Sequence, residues 1–165
     1  MLFDFKVNNC IFAKIKTMNA AQIHLLSNHL PLTIPFIGLI ILLISIYVKS
    51  DIVRRTGYFI LLLGGLFTIP TFLSGEGAEE IVEHLGKSHD LIHEHEESAE
   101  TFAYVNYLLA LLAAAALWMN WKKIELEKYL FPVVIGIGVL VCIFALSTGE
   151  SGGEISHSKE THSEH

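Results

Sequence analysis

The sequence predicts an all-α integral membrane protein, a four-helix bundle made of two repeated helical hairpins. Three observations lead there. Four apolar runs, Leu30–Val48, Gly57–Leu73, Phe102–Trp121 and Leu130–Ser147, are each 17–20 residues long, about what a helix needs to cross a bilayer. The chain is 52% apolar with only four prolines, a composition outside that of soluble globular domains. Finally, all nine histidines lie outside the apolar runs. They sit before runs one and three and after runs two and four, while the connections KSDIVRR and KKIELEK have none.

The basic residues orient the bundle. Lys49, Arg54 and Arg55 stand between the first two runs, and Lys122, Lys123 and Lys128 between the last two. Positive charge is retained on the cytoplasmic side, so both short loops are expected inside a cell (inner) membrane. Both termini and the acidic, histidine-rich segment 74–100 are then extracytoplasmic. Tyr47, Tyr58, Trp118, Trp121 and Tyr129 flank the same loops, as an interfacial aromatic belt does. Residues 1–17 disagree, because Lys6, Lys14 and Lys16 fall on the outer side. Two explanations fit: an upstream extension with Met18 as the natural start, which is preferred, or a short amphipathic surface helix. Residues 18–157 then form a single four-span domain, with repeats at about 22–84 and 96–157, and residues 158–165 a disordered polar tail. Neither Cys10 nor Cys142 has a partner that argues for a disulfide, and C-x-x-C-H is absent.

A shift of 74 residues places Lys49 on Lys123, Gly64 on Gly138, Gly75 on Gly149, Glu76 on Glu150, Glu80 on Glu154 and Ile81 on Ile155. Two hairpins pointing the same way across the membrane imply a pseudo-two-fold axis along its normal. Glycine and acids also end many helices, but the register common to loop, span and exit favours duplication.

The strings NHLPL (28–32), SGEGAEEIVEH (74–84), HEESA (95–99) and TGESGGEISH (148–157) resemble an uncharacterised family of bacterial four-helix membrane proteins, a domain of unknown function whose last span exits through TG-x-x-GGE. The likeness covers roughly residues 19–157. It implies a four-span bundle, agrees with a start at Met18 and implies no activity. The tail SKETHSEH departs from the family pattern.

The candidate ligands collect at the outer end. Glu76, Glu80 and His84 are spaced i, i+4, i+8, and His89 and His93 i, i+4, so each set shares a helix face. His29 stands at the mouth of the first span, just before Pro31, and His95 lies one to two turns before the third. Glu150, Glu154 and His157 leave the fourth. One cluster is expected: His29, His95 and His157 as cofactor ligands, with Glu76, Glu80, His84, His89, His93, Glu150 and Glu154 as metal ligands. Imidazole suits iron, copper and zinc, and bundles build such sites from facing helices. Haem b, held by two histidines, is preferred over a bare transition-metal ion. The bland alternatives are a solvated acidic face for Glu79, Glu83, Glu94 and Glu96, incidental exposure for His89 and His93, and a hydrogen bond to Glu76 or Glu150 for His29 and His95.

Three functions fit this pattern. The first is a haem- or metal-binding membrane protein, such as a respiratory electron-transfer or accessory subunit. The second is a non-catalytic partner or scaffold, docking other membrane subunits or a second copy of itself, and the third a cation-transport component. The runs contain no charge of the sort that usually marks an ion pathway. Nucleic acid is excluded as a partner, since segment 74–100 carries nine acids against Lys87 alone and phosphate binding needs clustered bases. An enzyme is the weakest class: HEHEES brings two histidines two residues apart, on different helix faces, and a nucleophile motif and a phosphate loop are lacking.

Overall fold

The computed structural model describes His24, Ser27 and residues 28–157, the side chain of Glu76 excepted. The expectations for residues 1–17, for Cys10 and for the tail 158–165 lie outside the described residues. Four long helices make up the rest: α1 His29–Val48, α2 Asp51–His84, α3 His89–Trp121 and α4 Glu127–His157. All four are long and apolar enough to cross a membrane, and the chain is a multi-pass membrane protein. Each helix packs on its neighbours in sequence, and α1 closes the ring against α4. Such short connections force neighbouring helices antiparallel.

Local chemistry sets the helix ends. Pro31 lies in the first turn of α1, where a missing N–H costs little. The α1–α2 turn reverses at Lys49 (φ 52°), and the α3–α4 turn uses Lys123 in the same left-handed conformation (φ 56°). Ser50 then caps α2 by accepting from the Val53 N–H, and Asp51 pairs with Lys123 across the two turns. The repeat is therefore visible in the backbone of both short loops.

The bundle packs small residues beside a core of Leu42, Leu61, Leu109, Val134 and Val141, and turns many other large side chains toward lipid. Leu111, Ile143, Leu146, Ile40 and Ile37 are all more than half exposed, which suits hydrocarbon and would be an aggregation surface in water. At the interfaces, Gly38 receives Leu61 and Gly57 receives Leu42, a reciprocal fit between α1 and α2. A Cβ on Gly65 would stand 2.4 Å from that of Ala110, so α2 and α3 nearly touch backbone to backbone. Lipid offers helices little hydrophobic incentive to associate, so close packing of this sort holds them. Gly136, by contrast, is exposed with nothing near its Cβ position.

Two polar contacts lock the register. Deep between α2 and α3, the Asn106 amide donates to Thr68 Oγ1 at 2.8 Å, and Thr68 donates to the Gly64 carbonyl at 2.9 Å. At the short-loop end, Glu127 accepts from Tyr58 Oη at 2.7 Å and pairs with Arg54 at 3.3 Å, tying α2 to α4. Arg54 also lies over the Phe131 ring at 4.4 Å. Tyr58 is thus fully buried and corrects the expectation of an interfacial belt residue, whereas Tyr47, Trp118, Trp121 and Tyr129 are exposed as a belt requires.

Gly65→Ala is expected to lower stability by about 1–3 kcal/mol through overpacking, while Gly136→Ala, which adds its methyl to open space, changes it by less than ~0.5 kcal/mol. Unfolding in mild detergent, followed by circular dichroism, compares the two; equal effects would refute close α2–α3 contact.

Candidate functional site

The long helices leave the apolar slab at the end opposite the short loops. At about 1.5 Å per residue, the 34 residues of α2, 33 of α3 and 31 of α4 outrun a hydrocarbon core of about 30 Å. Their surplus continues as helix beyond the membrane, where Ala78 and Ile92 are buried between α2 and α3. This projecting end holds the histidines.

Two half-buried imidazoles meet there. The ring centroids of His24 and His95 are 6.4 Å apart and the ring planes perpendicular. Each ring is held by the helix that exits beside it. His24 Nδ1 lies 3.1 Å from the Thr71 carbonyl and 3.5 Å from Ser74 Oγ. His95 Nδ1 lies 2.9 Å from Ser151 Oγ. A carbonyl only accepts, so the His24 Nδ1 carries the proton. Ser151 also lies 3.1 Å from the Thr148 carbonyl, and when its hydrogen is directed there it accepts from a His95 Nδ1–H. In a neutral imidazole with Nδ1–H, the lone pair is on Nε2.

The two rings are equivalents of one another. Ser74 donates to the Thr71 carbonyl at 3.0 Å, as Ser151 does to that of Thr148. A Cβ on Gly75 would meet His24 Cε1 at 3.9 Å, and one on Gly152 would meet His95 Cε1 at 3.1 Å. The motif His-x-x-Ser (His24–Ser27, His95–Ser98) therefore docks against Thr-x-x-Ser-Gly (Thr71–Gly75, Thr148–Gly152), once per repeat. A further bond, Ser98 Oγ to Thr148 Oγ1 at 3.0 Å, fastens the start of the third span to the exit of the fourth.

This register departs from the single shift of 74. His24 and His95 are 71 residues apart, whereas Ser74 and Ser151 are 77 apart. A shift of 74 falls midway and aligns neither pair. It matches Gly75 with Gly149, but Gly149 faces Leu32. His24 is accordingly the site residue that the sequence reading missed, and the paired His-x-x-Ser strings are the signal that could have found it.

The other expected ligands are more dispersed. His29 is exposed, its carbonyl accepting from Thr33 Oγ1. His84, Glu80, Glu150, Glu154 and His157 are exposed. His93 lies 3.7 Å from Glu96 and 3.6 Å from Glu97 on its own helix, and His89 is exposed at the helix start. Glu76 belongs to α2, but its side chain is outside the described set. Among the described residues, no group of three or more His, Cys, Asp or Glu side chains is placed to hold a metal. Among the expected ligands whose side chains are described, His95 alone joins the pair.

Electrostatics separates the pair from its surroundings. Burial pushes the His24 pKa below that of a free imidazole, against a smaller upward pull from its bond to the Thr71 carbonyl, which favours the neutral, ligating form. Nearby, partial desolvation and then the charges of Glu96 and Glu83 raise the pKa of Glu79. The chain matches no protein family model, no curated protein and no solved structure.

The sign of the His24 shift predicts acid sensitivity. Above about pH 6.5 the ring is neutral both folded and unfolded; below it, the unfolded chain takes up a proton that the folded site resists. Stability should therefore fall as pH drops through about 6.5 toward the lowered folded value. Thermal unfolding across this range should show the fall, and His24→Phe should reduce it; an unchanged pH profile in the variant would refute the assignment.

Proposed function

We propose that this protein binds a transition metal, haem iron included, through His24 and His95 at the extracytoplasmic end of its membrane bundle, and serves as a respiratory electron-transfer or accessory subunit. One observation carries the proposal: both imidazoles are anchored through Nδ1, which orients each ring and leaves Nε2 as the donor. Metal-bound histidines are held in this way, their second nitrogen bonded to a carbonyl or similar acceptor. The rings come from segments far apart in the chain, and each is fixed by a different exit helix, so the site forms only when the two repeats assemble. Neutral imidazole suits iron, copper and zinc.

The orientation rests on charge. Lys49, Arg54, Arg55, Lys122, Lys123 and Lys128 belong to the end that bears both short loops, which the positive-inside rule assigns to the cytoplasm. The α2–α3 turn and the histidine pair then face outward.

Two measurements test this reading. In a Cys10→Ser, Cys142→Ala background, Ser88→Cys should react with an impermeant thiol reagent added from outside and Ser50→Cys should not; the opposite pattern would invert the topology. Protein purified in mild detergent should hold about one equivalent of metal per chain, counting haem iron, and His95→Ala should lose it. Metal retained at wild-type occupancy in that variant would overturn the site.

A further inference from the structure

We infer that the end of the bundle bearing the short loops binds one anionic phospholipid, with an acyl chain in a groove between α3 and α4 and the phosphate beside Lys122 and Lys128. This site lies opposite the histidine pair and owes nothing to it. The groove encloses about 270 Å³ and is lined by Met119 of α3, Leu126 of the connecting turn, and Tyr129, Leu130 and Val133 of α4. Leu126, Tyr129, Leu130 and Val133 are spaced i, i+3, i+4, i+7, so one helical face makes a continuous wall. Leu126, Tyr129 and Val133 are exposed, so the groove opens sideways to lipid. Apart from the Tyr129 hydroxyl its side chains are apolar, and its volume is below the roughly 300–1,000 Å³ of a small-molecule pocket. Part of a flexible hydrocarbon chain suits it.

The groove has room to continue into the bilayer. Tyr129, Val133, Gly136 and Leu140 are spaced i, i+4, i+7, i+11 and share a face of α4. Gly136 is exposed, and a Cβ there would meet nothing, so this wall drops away just beyond Val133. On α3, Ala115 stands one turn from Met119 in the same direction and is half-buried. Small residues on both walls leave a path from the interface toward the hydrocarbon centre. From Tyr129 to Gly136 it runs about 10 Å, at about 1.5 Å per residue.

Charge selects the headgroup. Trp118, Trp121 and Tyr129 are exposed around the groove mouth, and such rings mark the membrane–water interface. The Lys128 ammonium lies 5.1 Å from the centroid of the Tyr129 ring, which puts a cation on the lip of the groove. Its carboxylate neighbour Glu125, 3.7 Å away, has a side chain 89% exposed; a solvated pair of this kind is weak, so a phosphate can replace it. Lys122 closes α3 at the same level and has no ion pair among the described residues. The other charges of the turn are committed, Lys123 to Asp51 and Glu127 to Arg54. Lys122 and Lys128 against Glu125 leave a net positive charge. Basic sites between spans recognise anionic headgroups, and a zwitterionic headgroup brings no net charge to meet them.

Native mass spectrometry of the delipidated full chain, given phosphatidylglycerol and phosphatidylcholine together in mild detergent, provides the test. The expected result is one phosphatidylglycerol retained per chain in preference to phosphatidylcholine. Lys122→Gln and Lys128→Gln should each weaken that binding by about fivefold. Val133→Trp, which fills the groove from its rim, should weaken it at least as much. Ile143→Trp, on a lipid-facing surface outside the groove, should leave it unchanged. Both lysines are exposed, so their variants decide the question even if Val133→Trp does not fold. Equal retention of the two lipids would overturn the inference. So would wild-type binding in the double lysine variant or in folded Val133→Trp, either of which would place the lipid outside this groove.

Discussion

The distance of closest approach between two helix backbones governs this structure. At Gly65 and Ala110 the helices come so near that a single extra methyl would lie 2.4 Å from its neighbour. In a bilayer, large apolar side chains gain nothing by leaving lipid for the protein interior, so dispersion between closely packed backbones must hold the helices together. That explains why glycine and alanine stand at the closest helix approaches, as at Gly65 and Ala110, while many leucines and isoleucines face outward. Polar contacts between the helices also fix register. The Asn106–Thr68 bond fixes how α2 slides on α3, and the Tyr58–Glu127–Arg54 group does the same for α2 and α4 at the opposite end.

The histidine pair inherits its geometry from this packing. His24 is positioned by α2, through Thr71 and Ser74, and His95 by α4, through Ser151. The distance between the rings is therefore set by how α2 and α4 are arranged around the bundle. A site built this way is precise without any long side chain to steer it. The anchoring serines are themselves hydrogen-bonded one turn back. Half-burial keeps His24 neutral, so the feature that orients the ring also keeps its lone pair available.

A duplicated hairpin makes such a site economical, because one solution to anchoring a histidine serves twice. The two copies have drifted in length, with the histidine-bearing segments 71 residues apart and the serine-bearing exits 77 apart. The difference of six residues is under two helical turns. It is absorbed in the spans and loops while the contacts at the end opposite the short loops stay matched. These contacts orient both rings and use one nitrogen of each, which is what the proposed metal binding requires.

Much of this architecture was legible in the linear sequence, because length and hydropathy are local properties. Four apolar runs with charged breaks dictate four spans, the basic loops dictate which ends belong together, and Pro31 marks a helix start without reference to any other residue. Buried position was less legible: Tyr58 looks like a belt residue in sequence, and only the approach of Glu127 from α4 makes it a core hydrogen-bond donor. The site divides in the same way. The end of the bundle that gathers the histidines, and His95 within it, could be read from spacing, but His24 could not, because its contact depends on a partner 71 residues away and on an offset that a single repeat shift averages out. Acids at i, i+4 intervals suggested a cluster, yet Glu80, Glu150 and Glu154 are exposed. Helical spacing says which side chains share a face; which way that face turns is decided by how the neighbouring helices pack.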